Sequence, residues 1–207
     1  MDEPLSNLDA KLRVQMRAEL KRFHQDLKAT IIYVTHDQLE AVTMADKMAV
    51  MNGGVLQQYD SPQTVFEHPV NTFVAGFVGS PAMNLISLRI APGGAALESS
   101  DGWTVALSPP NARKAAGSSA RDITLGARHS TVRLSKQPAE GAVAGEVYTV
   151  EPTGDITFVH LRLGAAAMVV SVPPDMRFSP NEKIWTSFDQ DRLHLFDGVT
   201  GRALKSV

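Results

Sequence analysis

The feature that most constrains the fold is a series of short apolar runs that fills the chain after residue 84. Residues 85–90, 95–99, 104–107, 123–127, 131–134, 143–150, 157–163, 168–172, 184–188 and 193–196 follow one another at short intervals. Between them stand Pro92-Gly93-Gly94, Asp101-Gly102, Pro109-Pro110, Thr153-Gly154-Asp155, Pro173-Pro174 and Asp197-Gly198. The runs have the length of strands, and the glycines and prolines between them suit tight turns. This pattern predicts a small β-barrel or sandwich. Residues 112–120, small and polar, are expected to form a loop, the most flexible part of this half.

Before residue 80 the pattern is different. Only 4 of the 15 glycines and 3 of the 12 prolines fall there. Leu12, Met16, Leu20, Phe23 and Leu27 recur at helical spacing, and Asp9 is placed to cap the helix they mark. Ile31-Ile32-Tyr33-Val34 is a continuous apolar run, the mark of a strand buried on both faces. Residues 37–45 read as a second helix and residues 48–51 as another two-sided buried strand. Asn52-Gly53-Gly54 turns the chain into residues 55–59. Ser61-Pro62 opens a short helix to Glu67, and residues 72–77 make a last one. Helices alternating with buried strands predict α/β architecture for residues 1–80. The Gly79-Ser80-Pro81 step marks the seam, because the residue before a proline is pushed out of the helical region.

Composition excludes several function classes. Twenty basic and 22 acidic side chains leave a net charge of −2, so no electrostatic footprint speaks for nucleic acid or an acidic membrane surface. The absence of cysteine removes disulfides, thiol catalysis and cysteine metal sites. No apolar run approaches the roughly 18 residues of a membrane span. The opening Met1-Asp2-Glu3-Pro4 is acidic and lacks the apolar stretch of a secretory leader.

Two places could carry chemistry. Asp2 and Glu3 are adjacent carboxylates followed by a proline. Such a pair can divide labour at a nucleotide phosphate, one holding Mg²⁺ through water and the other orienting the attacking water. A solvated helix start presents the same pair. Tyr33-Val34-Thr35-His36-Asp37-Gln38 follows an apolar run and opens a helix, so His36 stands where open α/β sheets place their ligands. A histidine there can donate to a terminal phosphate, and it can equally be a capping or surface histidine.

Together these segments resemble the ATP-binding subunits of ABC transporters, specifically the carbohydrate and polyol importers. Asp2-Glu3-Pro4-Leu5-Ser6-Asn7-Leu8-Asp9-Ala10 is similar to the end of Walker B running into the D-loop. Thr35-His36-Asp37-Gln38 is similar to the switch-histidine loop, and Phe73-Val74-Ala75-Gly76-Phe77-Val78-Gly79-Ser80-Pro81 continues the likeness. Leu125-Gly126-Ala127-Arg128, Val150-Glu151-Pro152-Thr153-Gly154 and Asp191-Arg192-Leu193-His194-Leu195-Phe196-Asp197 extend it into the family's regulatory domain. One departure is His129-Ser130, where the family usually has Pro-Glu.

The resemblance implies a partial P-loop NTPase (RecA-like) α/β core over residues 1–80 and an all-β, OB-type regulatory domain over residues 81–207. It implies ATP and Mg²⁺ as cofactors, with Asp2 as the metal residue and Glu3 as general base or water-positioner. His36 would contact the γ-phosphate and Glu3, and Ser6 and Asp9 would face a second copy of the subunit. Further implied partners are inner-membrane permease subunits and a regulatory protein on the β-rich half, with the chain peripheral on the cytoplasmic face of a bacterial membrane. The sequence contains no Gly-Lys pair and therefore no phosphate-cradling loop. It also lacks the Leu-Ser-Gly-Gly-Gln signature, so a truncated subunit without ATPase activity of its own is expected. The open edges of such a core further predict a dimer or larger species. Two alternatives stay open: a regulatory or dimerisation module centred on residues 82–207, and an OB-fold protein binding a small anion or nucleic acid.

Overall fold

Asp9 starts the first helix. Its carboxylate accepts the Leu12 N–H at 2.9 Å, and α1 runs over Ala10–Leu27 before ending at Lys28, which adopts the left-handed conformation with φ 51°. Asp37 does the same for α2 (Gln38–Met44), accepting from the N–H groups of Leu39 and Glu40. The computed structural model describes residues 1–118 and 120–205, which divide into two compact units, Met1–Pro69 and Val70–Val207.

In the first unit, β1 (Met48–Asn52) and β2 (Val55–Asp60) form a two-stranded antiparallel hairpin. Gly53 and Gly54 both take positive φ in its turn, as a two-residue hairpin loop requires. Ser61 caps α3 (Pro62–Glu67), with Pro62 in the first turn where its missing N–H costs nothing. Two expectations fail here. Residues 31–34 form no strand: among the described residues their one bridge is the parallel one between Asp2 and Val34, and Ile32 is 78% exposed. Nor is β1 buried on both faces. Met48 and Val50 are buried while Ala49 and Met51 are exposed, the alternation of a strand covered on one side. An apolar run specifies a two-sided strand only where a layer exists to cover each side, and among the described residues no second layer covers these.

The second unit begins with α4 (Thr72–Phe77), capped by Asn71, so that helix and the Gly79-Ser80-Pro81 step both lie beyond the division. Each of the ten apolar runs holds a strand. In chain order these are β3 (Asn84–Ile90), β4 (Ala96–Glu98), β5 (Thr104–Ala106), β6 (Asp122–Ala127) and β7 (Val132–Ser135). Then come β8 (Val143–Pro152), β9 (Thr157–Leu163), β10 (Ala166–Val172), β11 (Lys183–Phe188) and β12 (His194–Asp197). They make two antiparallel sheets, in the orders β12-β6-β3-β4-β5 and β10-β9-β8-β11-β7. Their inward faces share one core that includes Ile86, Leu97, Leu125, Val147, Leu161 and Ile184. Gly145 is required in β8, because a Cβ there would meet the Arg162 carbonyl oxygen at 2.7 Å and the Leu163 side chain.

The expected loop at residues 112–120 is largely helix instead. Ser108-Pro109-Pro110 opens α5 (Pro109–Ala116), and Asn111 and Ala115, one turn apart, are its buried positions. Ser119 lies outside the described residues.

Candidate functional site

The candidate site is assembled by main-chain hydrogen bonds between the first residues and the segment before α2. Glu3 N–H donates to the Val34 carbonyl at 2.8 Å, and Val34 N–H donates to the Met1 carbonyl at 2.9 Å. The Met1 amino group reaches the Ile32 carbonyl at 2.8 Å. This parallel pairing brings two stretches more than thirty residues apart to the same end, where Glu3 and His36 emerge. Glu3 has φ 41°, an uncommon backbone for a residue with a Cβ and a mark of local strain.

Glu3 Oε1 and His36 Nδ1 are 2.8 Å apart. The hydrogen bond and charge of Glu3 raise the pKa of the imidazole above its ordinary value. Both side chains are open to solvent, so the pair is poised rather than buried. With Nδ1 donating to the carboxylate, Nε2 is the ring atom left for another partner. The segment carrying His36 is pinned from beneath by Glu40, which is buried. Its Oε2 accepts from the Tyr33 hydroxyl at 2.9 Å and from Thr35 Oγ1 at 2.8 Å. Burial first, and the Glu40 hydrogen bond second, push the Tyr33 phenol up. Arg13 donates to the Leu8 carbonyl at 3.0 Å and lies 3.6 Å from Asp37, tying the start of α1 to the start of α2.

Of the residues expected to carry chemistry, Glu3 and His36 meet. Asp2 is exposed and forms the parallel bridge with Val34. The Ser6 hydroxyl donates to the Glu3 carbonyl at 2.9 Å, and the Asp9 carboxylate is engaged as the α1 cap. Both therefore shape the turn that follows Glu3. Among the described residues no three His, Asp or Glu side chains converge on a metal position. A single carboxylate beside a carboxylate–imidazole pair fits Mg²⁺ that keeps most of its water and takes other ligands from phosphates. Sequence reasoning missed Glu40 and Arg13. Their only signal was position, each lying close to a capping aspartate.

In the second unit, residues 79–128 match the family model of the MalK OB fold domain and residues 137–195 match that of the TOBE domain. The sulfoquinovosyl glycerol transport ATP-binding protein of Agrobacterium fabrum is 44% identical over 206 residues, 98% of this chain and 56% of that protein. The sn-glycerol-3-phosphate import ATP-binding protein of Escherichia coli strain K12 is 46% identical over 201 residues, 97% of this chain and 55% of the relative. The chain is a homologue of importer ATP-binding subunits. It spans about half the length of the curated relatives it matches. The molybdate-bound structure of the cytoplasmic molybdate-binding protein ModG overlays with a TM-score of 0.44 and 14% identity, over 54% of this chain and 94% of that one. By its two family-model matches the second unit of this importer-subunit homologue is OB-type and TOBE in character, and the chain as a whole is mostly β. No described helix is long and apolar enough to cross a membrane.

Proposed function

We propose that this chain is part of the ATP-hydrolysing subunit of an importer for sugars or related polyols, with Glu3 and His36 as its catalytic pair. The observation that carries the reading is the 2.8 Å contact between Glu3 Oε1 and His36 Nδ1 at the carboxyl end of two parallel-paired segments. Glu3 would orient and deprotonate the attacking water. His36, held by Glu3 through Nδ1, would present Nε2 to the γ-phosphate. Asp2 would hold Mg²⁺ through its water shell, and the ion when bound would offset charge on the transferred phosphoryl group. Ser6 and Asp9 would set the turn that faces a second copy of the subunit.

On this reading residues 1–80 contribute the later part of a P-loop (RecA-like) nucleotide-binding domain, and residues 81–207 form the regulatory domain. The partners are a second subunit, the permease subunits and a regulatory protein, at the cytoplasmic face of the membrane. The polypeptide 1–207 carries no Gly-Lys phosphate loop, so by itself it should turn over no ATP. A second reading, in which residues 82–207 work as a regulatory or dimerisation module, is supported by the continuous core of that half.

The test is a strain whose own copy of this gene carries Glu3→Gln, grown on a panel of sugars, polyols and polyol phosphates as sole carbon source. Loss of growth on one class, with other sources unaffected, is the expected result. Unchanged growth on every compound overturns the reading. Mg-ATP turnover by the isolated 1–207 polypeptide that disappears in Glu3→Gln would overturn only the claim of inactivity.

A further inference from the structure

Two strand edges in the second unit face a common groove with their main-chain groups unused. β4 pairs with β3 only at Arg89 and Ile90, which leaves residues 85–88 of β3 without a neighbour on that side. Ile90 N–H points toward β6, bonding the Arg121 carbonyl, whereas Ala91 N–H points the other way to Ala96. The alternation of a strand therefore aims the N–H and C=O of Leu85 and Ser87 into the open side. β10 is an edge strand of the other sheet. Its outward groups at Val169 bond the Asn84 carboxamide, at 2.7 Å to Oδ1 and 2.8 Å from Nδ2. Its turn N–H at Ala165 donates to Asp101 at 2.6 Å. By the same alternation Ala167 N–H and C=O point outward, between those two closures.

The resulting groove holds about 330 Å³ and is lined by residues that include Ser87, Ser99, Ser100, Asp101, Trp103 and Ala167. The Trp103 ring is fixed, because its indole N–H donates to the Leu163 carbonyl at 3.1 Å. The volume lies at the small end of ligand pockets. No lysine, arginine or histidine lines it and one carboxylate does, which disfavours a phosphate or other anion. An apolar ligand would strip water from the exposed N–H, C=O and hydroxyl groups and return no hydrogen bonds. A ligand that carries donors and acceptors around a compact carbon frame satisfies both walls, and its C–H face can lie on the indole. We infer that this groove is a binding site for a small neutral polyhydroxylated molecule, up to the size of one hexose. It lies within the second unit and does not depend on the Glu3–His36 reading.

The experiment is amide NMR on the full chain, titrated separately with glucose, glycerol and sodium phosphate, on wild type and on Ser87→Leu, which fills the groove from an exposed position. Glucose or glycerol should shift the amides of Ser87, Ser100, Asp101 and Ala167 and the Trp103 indole N–H. The shifts should saturate with a Kd on the order of 1–10 mM, about −4 to −3 kcal/mol of binding free energy. Ser87→Leu should weaken that Kd at least about tenfold, roughly 1.4 kcal/mol, with the rest of its spectrum unchanged. Absence of saturable shifts at these positions overturns the proposal. So does equal binding by Ser87→Leu, or a response of the same amides to phosphate alone. Should Ser87→Leu perturb the whole spectrum, Ser100→Ala replaces it, and a Kd unchanged from wild type then counts against the site.

Discussion

The two units place their apolar residues in opposite ways. In the second, inward positions of ten strands merge into one core. In the first, among the described residues, only Leu5, Met48, Val50 and Val65 are buried apolar side chains, apart from Pro69, while Phe23, Leu27, Ile32, Val55 and Tyr59 are more than half exposed. α1 has no buried residue at all, although its apolar stripe has helical spacing. Caps and turns can define helices and a hairpin, while burial decides how firmly they are held. A large exposed apolar face is what a protein–protein contact covers, which agrees with the proposed assembly of the first unit with further protein.

The largest effect should come from deleting the same kind of side chain in each unit. Ile184 is fully buried, so Ile184→Ala should cost about 2–5 kcal/mol through lost burial and the cavity left behind. Leu27 is 51% exposed, so Leu27→Ala should stay within about 0.5 kcal/mol. Urea melts followed by tryptophan emission and by far-ultraviolet circular dichroism measure both. Equal losses would abolish the contrast between the units.

Next in size is the carboxamide that joins the two sheets. Asn84 is buried and bonds both main-chain groups of Val169 as well as the Ala127 carbonyl. Asn84→Ala removes three hydrogen bonds, two of them to half-buried main-chain groups of Val169 and one to the buried Ala127 carbonyl, and should cost about 1–3 kcal/mol. Hydrogen exchange should quicken at the Val169 amide before it does in β8 or β11. Uniform acceleration would mean that the clamp is not local.

How much of this was legible in the sequence follows from the range of each signal. The caps at Asp9 and Ser61 were readable because a cap bonds its own chain three residues on. The ten strands were readable because turn residues punctuate them. Residues 31–34 were misread because an apolar run gives propensity, whereas a ladder needs neighbours that local pattern cannot supply. α5 was misread although Ser108-Pro109 repeats the Ser61-Pro62 signal; its small polar composition hid the i, i+4 pair Asn111 and Ala115. At the candidate site, the acid and the imidazole were legible as types and their meeting followed from the family likeness. Glu40 was not, because a buried carboxylate looks in sequence like any surface one. The groove between β3 and β10 was invisible, since it is made by two edges from different sheets.

Glu40 gives the third prediction. Glu40→Ala removes the acceptor for Tyr33 and Thr35 and should cost about 1 kcal/mol, less than Asn84→Ala because two hydroxyls, which can rotate to other acceptors, are released rather than fixed main-chain groups. Its sharper readout is His36. With the segment loosened, the Glu3 contact should be made part of the time, and the His36 pKa should move down toward its ordinary value in an NMR titration. A stability loss without that movement would leave Glu40 a structural residue only.

The smallest effect separates the units by the sign of a proton equilibrium. His36 is raised by the hydrogen bond and charge of Glu3. His129, in the second unit, is lowered, first by burial and then by the charge of Arg128, and its ring meets Phe158 edge-on. A histidine raised in the folded state adds stability that is fully present below the unfolded value of about 6.5 and is lost as pH rises through the folded value. A lowered one behaves in reverse. Its contribution is complete above about 6.5 and is lost as pH falls toward the folded value, because the unfolded chain then binds the proton more readily. Between pH 7 and pH 5, His129 should therefore weaken the second unit, while protonation of His36 should tighten its pairing with Glu3. His129→Phe should flatten the acid slope of the second unit, and Glu3→Gln should bring His36 back to the ordinary range without touching His129. The titration of both imidazoles in one spectrum decides it. If the two move in the same direction from about 6.5, the contrast between a solvent-facing pair and a half-buried ring fails.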